Sequence, residues 1–457
     1  MWRKRARLIA LLWWIPIAAV HARSLTAQQV FEEWLAAYNA ADAAALTKFY
    51  ESRLGYPDID YALDTREETG GLDLIEIERS EPLKFVARLR ERDFAAFQRL
   101  TFELEDASSG KLRALEQTPE PLAMPEAIAA LDAFAGKLAA RDRFSGVFVV
   151  EENGKRLYEK AFGLADRESR TAVRLDTPFF IASQGKMFTG VAVLQLVEAR
   201  KVALDDPIGK YLTDYPNKVV AEKVTVRHLL THRGGAGDIG ILRPEEAANR
   251  AWVRTIADLI KVNGSRPPAF EPGTEEAYSN YGFILLGALI EKVSGRSYYD
   301  YVNEHIFRLA GMTATRFPTL DELAGVAIPY TKVHDKIVNA SDTLPWRGLS
   351  AGGGVSTAGD ELKFIAALKE GKLISAAMLQ EATRRQTPWY GYGFISSEPD
   401  DYPHWGHGGG APGTSTVLAV YPTNGVTMVC LSNRDGPVCD RLAFNLHYHL
   451  APRGSPR

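Results

Sequence analysis

The sequence predicts an α+β fold: an antiparallel sheet flanked by helices, with a mostly helical subdomain between its strands and a small α+β domain in front. Three observations predict it. Ser145–Val150 and Arg156–Phe162 flank Asn153-Gly154, a dipeptide that suits a two-residue hairpin because both turn positions need positive φ. Thr414–Tyr421 and Gly425–Leu431 read as a second strand pair across Pro422-Thr423-Asn424, and residues between about 200 and 370 read as largely helical. One sheet built from the first hairpin and the last strands is the economical arrangement. Residues 118–125 carry three prolines and read as a linker.

Taken in order, residues 1–22 resemble an export signal. Arg3, Lys4, Arg5 and Arg7 precede the apolar run Leu8–Val20, and Val20-His21-Ala22 offers a small-x-small cleavage site. The run is short of the ~20 residues of a membrane span, so a retained anchor is the weaker alternative. The expectation is a secreted or periplasmic protein with no stable membrane span after cleavage. Residues 25–117 form the small α+β domain. Val30, Phe31, Trp34, Leu35 and Tyr38 recur at helical spacing, and Asn39–Asp42 breaks the run before a second short helix to Tyr50. Strands are expected at Leu72–Ile77, Leu100–Leu104 and Leu112–Leu115. The Trp34 helix with its break resembles cone-shaped folds of the nuclear-transport-factor type. No catalytic constellation is visible in this part. Residues 126–452 form the second domain, opening with a helix from Pro125 to about Ala140 and closing with one from Cys439 to Leu450.

Composition bounds function. The chain has 457 residues, 46% apolar and 24% charged, as in ordinary globular proteins. Net charge is −3, and removal of residues 1–22 leaves 50 basic residues against 57 acidic ones. With no basic run interleaved with aromatics, a nucleic-acid partner is not expected. Of the two cysteines, Cys430 lies in an apolar strand pattern, where a buried free thiol is the simpler reading; spacing does not decide whether Cys439 pairs with it.

The chemistry points to Ser183-Gln184-Gly185-Lys186. An apolar approach runs into the start of an apolar helix, with serine at its entrance and lysine one turn on. Residues three apart share a helix face. Serine is a weak nucleophile until a base takes its proton, and a lysine deprived of water has the lowered pKa of such a base. The bare spacing is weak evidence. Ser108-Ser109-Gly110-Lys111 repeats it in what reads as a solvated turn. Two further motifs add context. Tyr278-Ser279-Asn280 sits where a turn meets an apolar helix, a place that also calls for a simple helix cap. In Gly406-His407-Gly408-Gly409-Gly410, glycines let backbone approach a ligand closely and a strand edge can offer N–H groups to an oxyanion.

In this order and setting the three motifs resemble the serine β-lactamase and penicillin-binding-protein superfamily, and within it the class C β-lactamase-like branch of esterases and D-aminopeptidases. The resemblance spans about residues 125–450. It implies a β-lactamase/transpeptidase-like fold and an acyl-enzyme on Ser183, with Lys186 and Tyr278 sharing the proton work. It also implies that Asn280 orients substrate or Lys186, that His407 bonds Tyr278 or the substrate, and that Gly409 and Gly410 border an oxyanion hole formed by the Ser183 and Gly410 N–H groups. Two departures matter: His407 stands where many relatives carry lysine, and Gly408 where a hydroxyl residue is usual. In relatives that process penicillins, that cation and hydroxyl hold a carboxylate. The expected substrate is therefore a small ester or peptide-like amide lacking one.

The alternatives are a β-lactamase or a D-aminopeptidase or carboxypeptidase acting on cell-wall peptides, and an inactive binding protein or scaffold that keeps the fold. His228 and His232, four apart on an expected helix, lack the glutamate of a zinc protease motif and read as structural. His404 and His407 have no carboxylate cluster beside them. No metal and no cofactor are expected. Gly352-Gly353-Gly354 reads as close packing or pocket wall. Tyr281, Trp346, Trp389 and Tyr390 read as core or rim, with a lining role in an acyl pocket as the alternative.

Overall fold

The computed structural model describes residues 24–450 apart from 94–95, 240–251, 335 and 398–402; the expected export signal lies outside the described residues. The chain forms two compact units that divide between Glu120 and Pro121.

In the first unit, α1 (Ala27–Ala40) starts at a capping box. Thr26 accepts from the Gln29 N–H, and the Gln29 side chain accepts from the Thr26 N–H. Ala41, at φ 52°, ends it at the expected break, and Asp42 caps α2 (Ala43–Leu54). A third helix, α3 (Asp60–Thr69), is not among the sequence expectations. The antiparallel sheet runs β1 (Leu72–Ser80), β2 (Lys84–Glu91), β3 (Phe97–Leu104) and β4 (Leu112–Pro119), in chain order. Strand β2 escapes a sequence reading because Lys84, Arg88 and Arg90 dilute its apolar pattern, yet Phe85, Ala87 and Leu89 are buried on alternate positions. These pack on Phe31 and Trp34 of α1 in one core. β4 runs through Pro119, so the proline-rich connection is shorter than the expected 118–125. The Ser108–Lys111 stretch is a turn held by Asp106, which accepts from the Ser108 and Ser109 N–H groups at 2.8 Å.

The second unit opens with α4 (Met124–Ala140), Pro125 in its first turn. Its sheet is built from β5 (Gly146–Glu152), β6 (Lys155–Phe162), β7 (Ile395–Ser397), β8 (His404–Ala411), β9 (Thr414–Tyr421) and β10 (Val426–Ser432). The order is β7-β8-β9-β10-β5-β6, antiparallel throughout. Asn153 and Gly154 both take positive φ, 51° and 78°, at the β5–β6 turn. β7 pairs only with His404–Gly406, so the glycine half of β8 faces outward as an edge. On the inner face Val149, Leu418 and Val429 join a core shared with α5 (Gly185–Glu198), α6 (Asn280–Ser294) and α7 (Ala358–Lys369). α5 is buried nearly all round, which explains its continuous apolar sequence.

The alternate residues Val417 and Cys430 point to the other face, which α4 and α8 (Val438–Leu450) cover. This corrects the reading of Cys430 as a free thiol. The pleat turns Cys430 toward α8, and the start of that helix brings Cys439 to a Cα separation of 5.4 Å, where the two form a disulfide. Among the described residues no helix is long and apolar enough to cross a membrane.

Candidate active site

Ser183 sits in a single tight helical turn, Ala182–Gln184, that feeds directly into α5. The residue before it, Ala182, is held at φ 44°, a conformation that costs a non-glycine residue energy and persists only when its surroundings enforce it. The enforcement is visible. Gly353 N–H donates to Ala182 O at 3.1 Å, and Ile181 N–H donates to Gly354 O at 2.9 Å. Gly352, at φ +142°, lies so close that a Cβ there would fall 2.3 Å from Ala182 O. The close-packing reading of this glycine run is correct. Gly409 of β8 approaches from the other side, where a Cβ would lie 2.5 Å from Ile181 O. The nucleophile turn is clamped between two stretches of bare backbone.

Lys186 follows one turn on, with no solvent exposure. Its Nζ lies 3.2 Å from Ser183 Oγ, 2.7 Å from Asn280 Oδ1 and 2.6 Å from Ala351 O. Burial lowers its pKa from an ordinary 10.5 to about 7, with the Asp238 carboxylate pulling in the other direction. Two of the three neighbours are carbonyl oxygens that only accept. A neutral amine gives them its two N–H groups and is left with a lone pair directed at the serine hydroxyl.

Tyr278 donates to Ser183 Oγ at 2.9 Å. Its ring lies 4.7 Å from the Lys186 nitrogen. The protein packed around it, which still leaves 42% of the residue exposed, pushes its pKa up to about 12 by desolvation, which keeps the phenol protonated. The adjacent residues divide the labour of a helix start. Ser279 caps α6 by accepting from the Gly282 N–H at 2.9 Å, which leaves Asn280, the first helical residue, free to turn its side chain to Lys186. Of the two roles expected for Asn280, orienting the lysine is the one the geometry carries.

His407 is buried, but its expected bond to Tyr278 is not formed. Its Nδ1–H donates to Gly408 O at 2.6 Å, and its Nε2 accepts from Tyr390 OH at 2.9 Å. Both ring nitrogens are engaged, and burial lowers the pKa to about 3, so the imidazole is neutral across the physiological range. Tyr390, read from sequence as core or rim, is fully buried and holds His407. Trp389 stacks on His232 at 5.7 Å between ring centroids, whereas Tyr281 is core, bonded to Tyr215, and Trp346 lies under Arg254.

His232 contributes more than its sequence suggests. The short helix Val226–Leu230 ends before it, which corrects the expectation of one helix carrying both His228 and His232. Its Nδ1 accepts from the Ser279 N–H at 3.1 Å, and its ring packs 4.4 Å from that of Tyr278. Burial first, and then Lys186, depress its pKa to about 2. It is a structural histidine, as expected, but the structure it supports is the tyrosine of the site. No local sequence signal marks it.

Ser183, Tyr278, His407 and Gly408–Gly410 line one cleft of about 440 Å³ that wraps the outer edge of β8. Among the described residues no cluster of three or more His, Cys, Asp or Glu side chains is placed to hold a metal ion.

Known proteins are similar to this chain. The Beta-lactamase family profile matches residues 131–450. Penicillin-binding protein 4* of Bacillus subtilis (strain 168) is 29% identical over 320 residues, covering 65% of this chain and 70% of that protein. Esterase EstB of Burkholderia gladioli is 27% identical over 329 residues, covering 63% and 84%. The crystal structure of a penicillin-binding protein from Bacillus halodurans superposes with a TM-score of 0.61 at 29% identity, covering 68% of this chain and 97% of that one. With the family profile matching well over half of its length, this chain belongs to the Beta-lactamase family and is one of its serine hydrolases.

Proposed function

We propose that this protein is exported and hydrolyses an ester or amide through an acyl-enzyme on Ser183, on a substrate that does not depend on a carboxylate for binding. Neutral Lys186 takes the Ser183 proton as Oγ bonds to the carbonyl carbon. The oxyanion is received by the Ser183 and Gly410 N–H groups, for which each donor typically contributes ~3–4 kcal/mol of transition-state stabilisation. The Lys186 proton then passes to the leaving alcohol or amine, with Tyr278 bridging at Ser183 Oγ, and the carbon–heteroatom bond breaks. Water reverses the sequence on the acyl group, yielding the acid and free Ser183. The observation that carries this reading is the convergence of two proton-handling groups on one oxygen: lysine nitrogen at 3.2 Å and phenol at 2.9 Å from Ser183 Oγ. With the lysine poised at about 7 and the phenol at about 12, Lys186 is the base and Tyr278 the donor. The neutral His407 and the bare Gly408 support a substrate without a carboxylate, since neither offers the charge or hydroxyl to hold one.

A fluorophosphonate probe tests the reading. Labelling of the wild type and not of Ser183→Ala is expected. Failure to label the wild type favours the non-catalytic binder. Rates on p-nitrophenyl esters beside a chromogenic cephalosporin then separate the proposal from a β-lactamase, which would turn over the cephalosporin faster. Export is tested by locating the protein, and its mature N-terminus, in fractionated cells.

A further inference from the structure

The cleft has a second wall. Strand pleat places His407 and Gly409 on the face of β8 that meets Ser183, and Gly408 and Gly410 on the face that meets α8. Because the edge carries no side chains, the cleft continues around it, and Gly436, Pro437 and Asp440 line the far side. Asp440 lies in the first turn of α8, and its carboxyl reaches the edge: a Cβ on Gly408 would sit 3.6 Å from Asp440 Oδ1. Asp440 is solvent-accessible, yet the surrounding protein raises its pKa above the ordinary 3.8. Among the described residues lining the cleft it carries the one formal charge. Two arginines lie near it in sequence. Arg434 lies by Asp142 at 3.7 Å, and Arg441 lies over the Phe134 ring. Asp238, near enough to act on Lys186 and Tyr278, adds negative potential on the nucleophile side.

We propose that Asp440 is a specificity-determining residue that selects ester or amide substrates bearing an ammonium group, seated across the glycine edge from the scissile carbonyl. This rests on the hydrolase reading and deepens it. A partly desolvated carboxylate at the cleft wall, with no cation beside it among the described cleft residues, is relieved by an incoming cation and repels an incoming carboxylate. It therefore acts in the same direction as the loss of a cation at position 407, and converts a cleft that merely lacks a carboxylate clamp into one that prefers the opposite charge.

Two matched substrate pairs test it, one for each side of the scissile bond: butyrylcholine against 3,3-dimethylbutyl butyrate, and p-nitrophenyl 6-aminohexanoate against p-nitrophenyl heptanoate. The expected result is that wild type favours the cationic member of at least one pair by about five- to tenfold in kcat/KM, carried by KM. The preference shrinks as ionic strength rises and falls to within about twofold of unity in Asp440→Asn. The salt series on wild type needs no variant to fold. Equal rates within both pairs, or a preference that survives both salt and Asp440→Asn, overturns the proposal. Fluorophosphonate labelling separates the failures. A labelled wild type without charge preference sinks this inference alone, whereas an unlabelled wild type sinks the hydrolase reading beneath it.

Discussion

Replacing Lys186 with methionine removes the base while keeping the length of the side chain, and it exposes what the buried amine does to stability. A lysine whose pKa falls from 10.5 to about 7 on folding costs the folded state about 4–5 kcal/mol at acidic pH, because each tenfold loss of proton affinity is worth about 1.4 kcal/mol. The sign follows from proton counting. Between pH 7 and 10.5 the unfolded chain holds a proton on this lysine that the folded chain lacks, so stability rises with pH; the penalty is fully present below pH 7 and gone above 10.5. Methionine escapes the penalty but leaves Asn280 Oδ1 and Ala351 O without the donor they have now, at about 1–3 kcal/mol each. At pH 7 the two effects nearly cancel. The pH dependence does not: across pH 7–9 wild type gains on Lys186→Met by up to about 1.4 kcal/mol per pH unit. Urea unfolding of both proteins at pH 6, 7, 8 and 9 measures this. In parallel, wild-type kcat/KM on a p-nitrophenyl ester rises about tenfold per pH unit below pH 7 and then levels, while Lys186→Met falls by about 10²–10⁴. A constant stability difference across pH 7–9, or an activity profile with no inflection near 7, refutes the assignment of a neutral Lys186 as base.

Tyr278→Phe removes the donor to Ser183 Oγ without opening a cavity, and slowed fluorophosphonate labelling with an unchanged melting temperature is the expected result. Gly352→Ala forces a methyl against Ala182 O at a positive φ, so both the melting temperature and Ser183 labelling fall; a variant that melts and labels as wild type does shows that the nucleophile turn is not clamped there. Cys430→Ala/Cys439→Ala opens a loop spanning nine positions and lowers unfolding free energy by about 2.7 kcal/mol on the loop-entropy account, read by urea titration against the oxidised wild type.

How legible the site is in sequence depends on how local its signals are. The Ser183–Lys186 pair is one helical turn, so its spacing alone brings the two side chains together, and Asn153-Gly154 states its own turn type. Tyr278 and Asn280 are 95 and 97 positions from Ser183. They stand out because a capped helix start has a recognisable form, even though nothing local says what the helix points at. The same form conceals that the capping and catalytic readings are both true, on adjacent residues. His232, Tyr390 and Asp440 carry no motif. Each matters through a partner distant in sequence, Tyr278, His407 and Gly408, and such pairings exist only once the sheet and helices are assembled. The disulfide is undecidable from sequence for a similar reason: two residues nine apart can pair or not, and only the pleat of β10 and the start of α8 bring the sulfurs together.

The roles of His407 and Asp440 follow from one physical circumstance, the glycine edge of β8. A strand without side chains leaves the identity of the bound group to whatever lies just behind it on either face. On the inner face, an imidazole tied by Gly408 O and Tyr390 OH, with its pKa held at about 3, presents neither a charge nor an unpaired ring nitrogen. Restoring a lysine there does not restore a carboxylate clamp, because Tyr390 and the surrounding core bury the position and an ammonium would meet the same desolvation that already lowers Lys186. On the outer face the single carboxylate of Asp440 stands in partial solvent, with desolvation by the surrounding protein raising its pKa above the ordinary 3.8. Charge selection in this cleft is therefore set from the α8 side, and a change of substrate charge requires a change at Asp440 rather than at the histidine that sequence comparison draws attention to first.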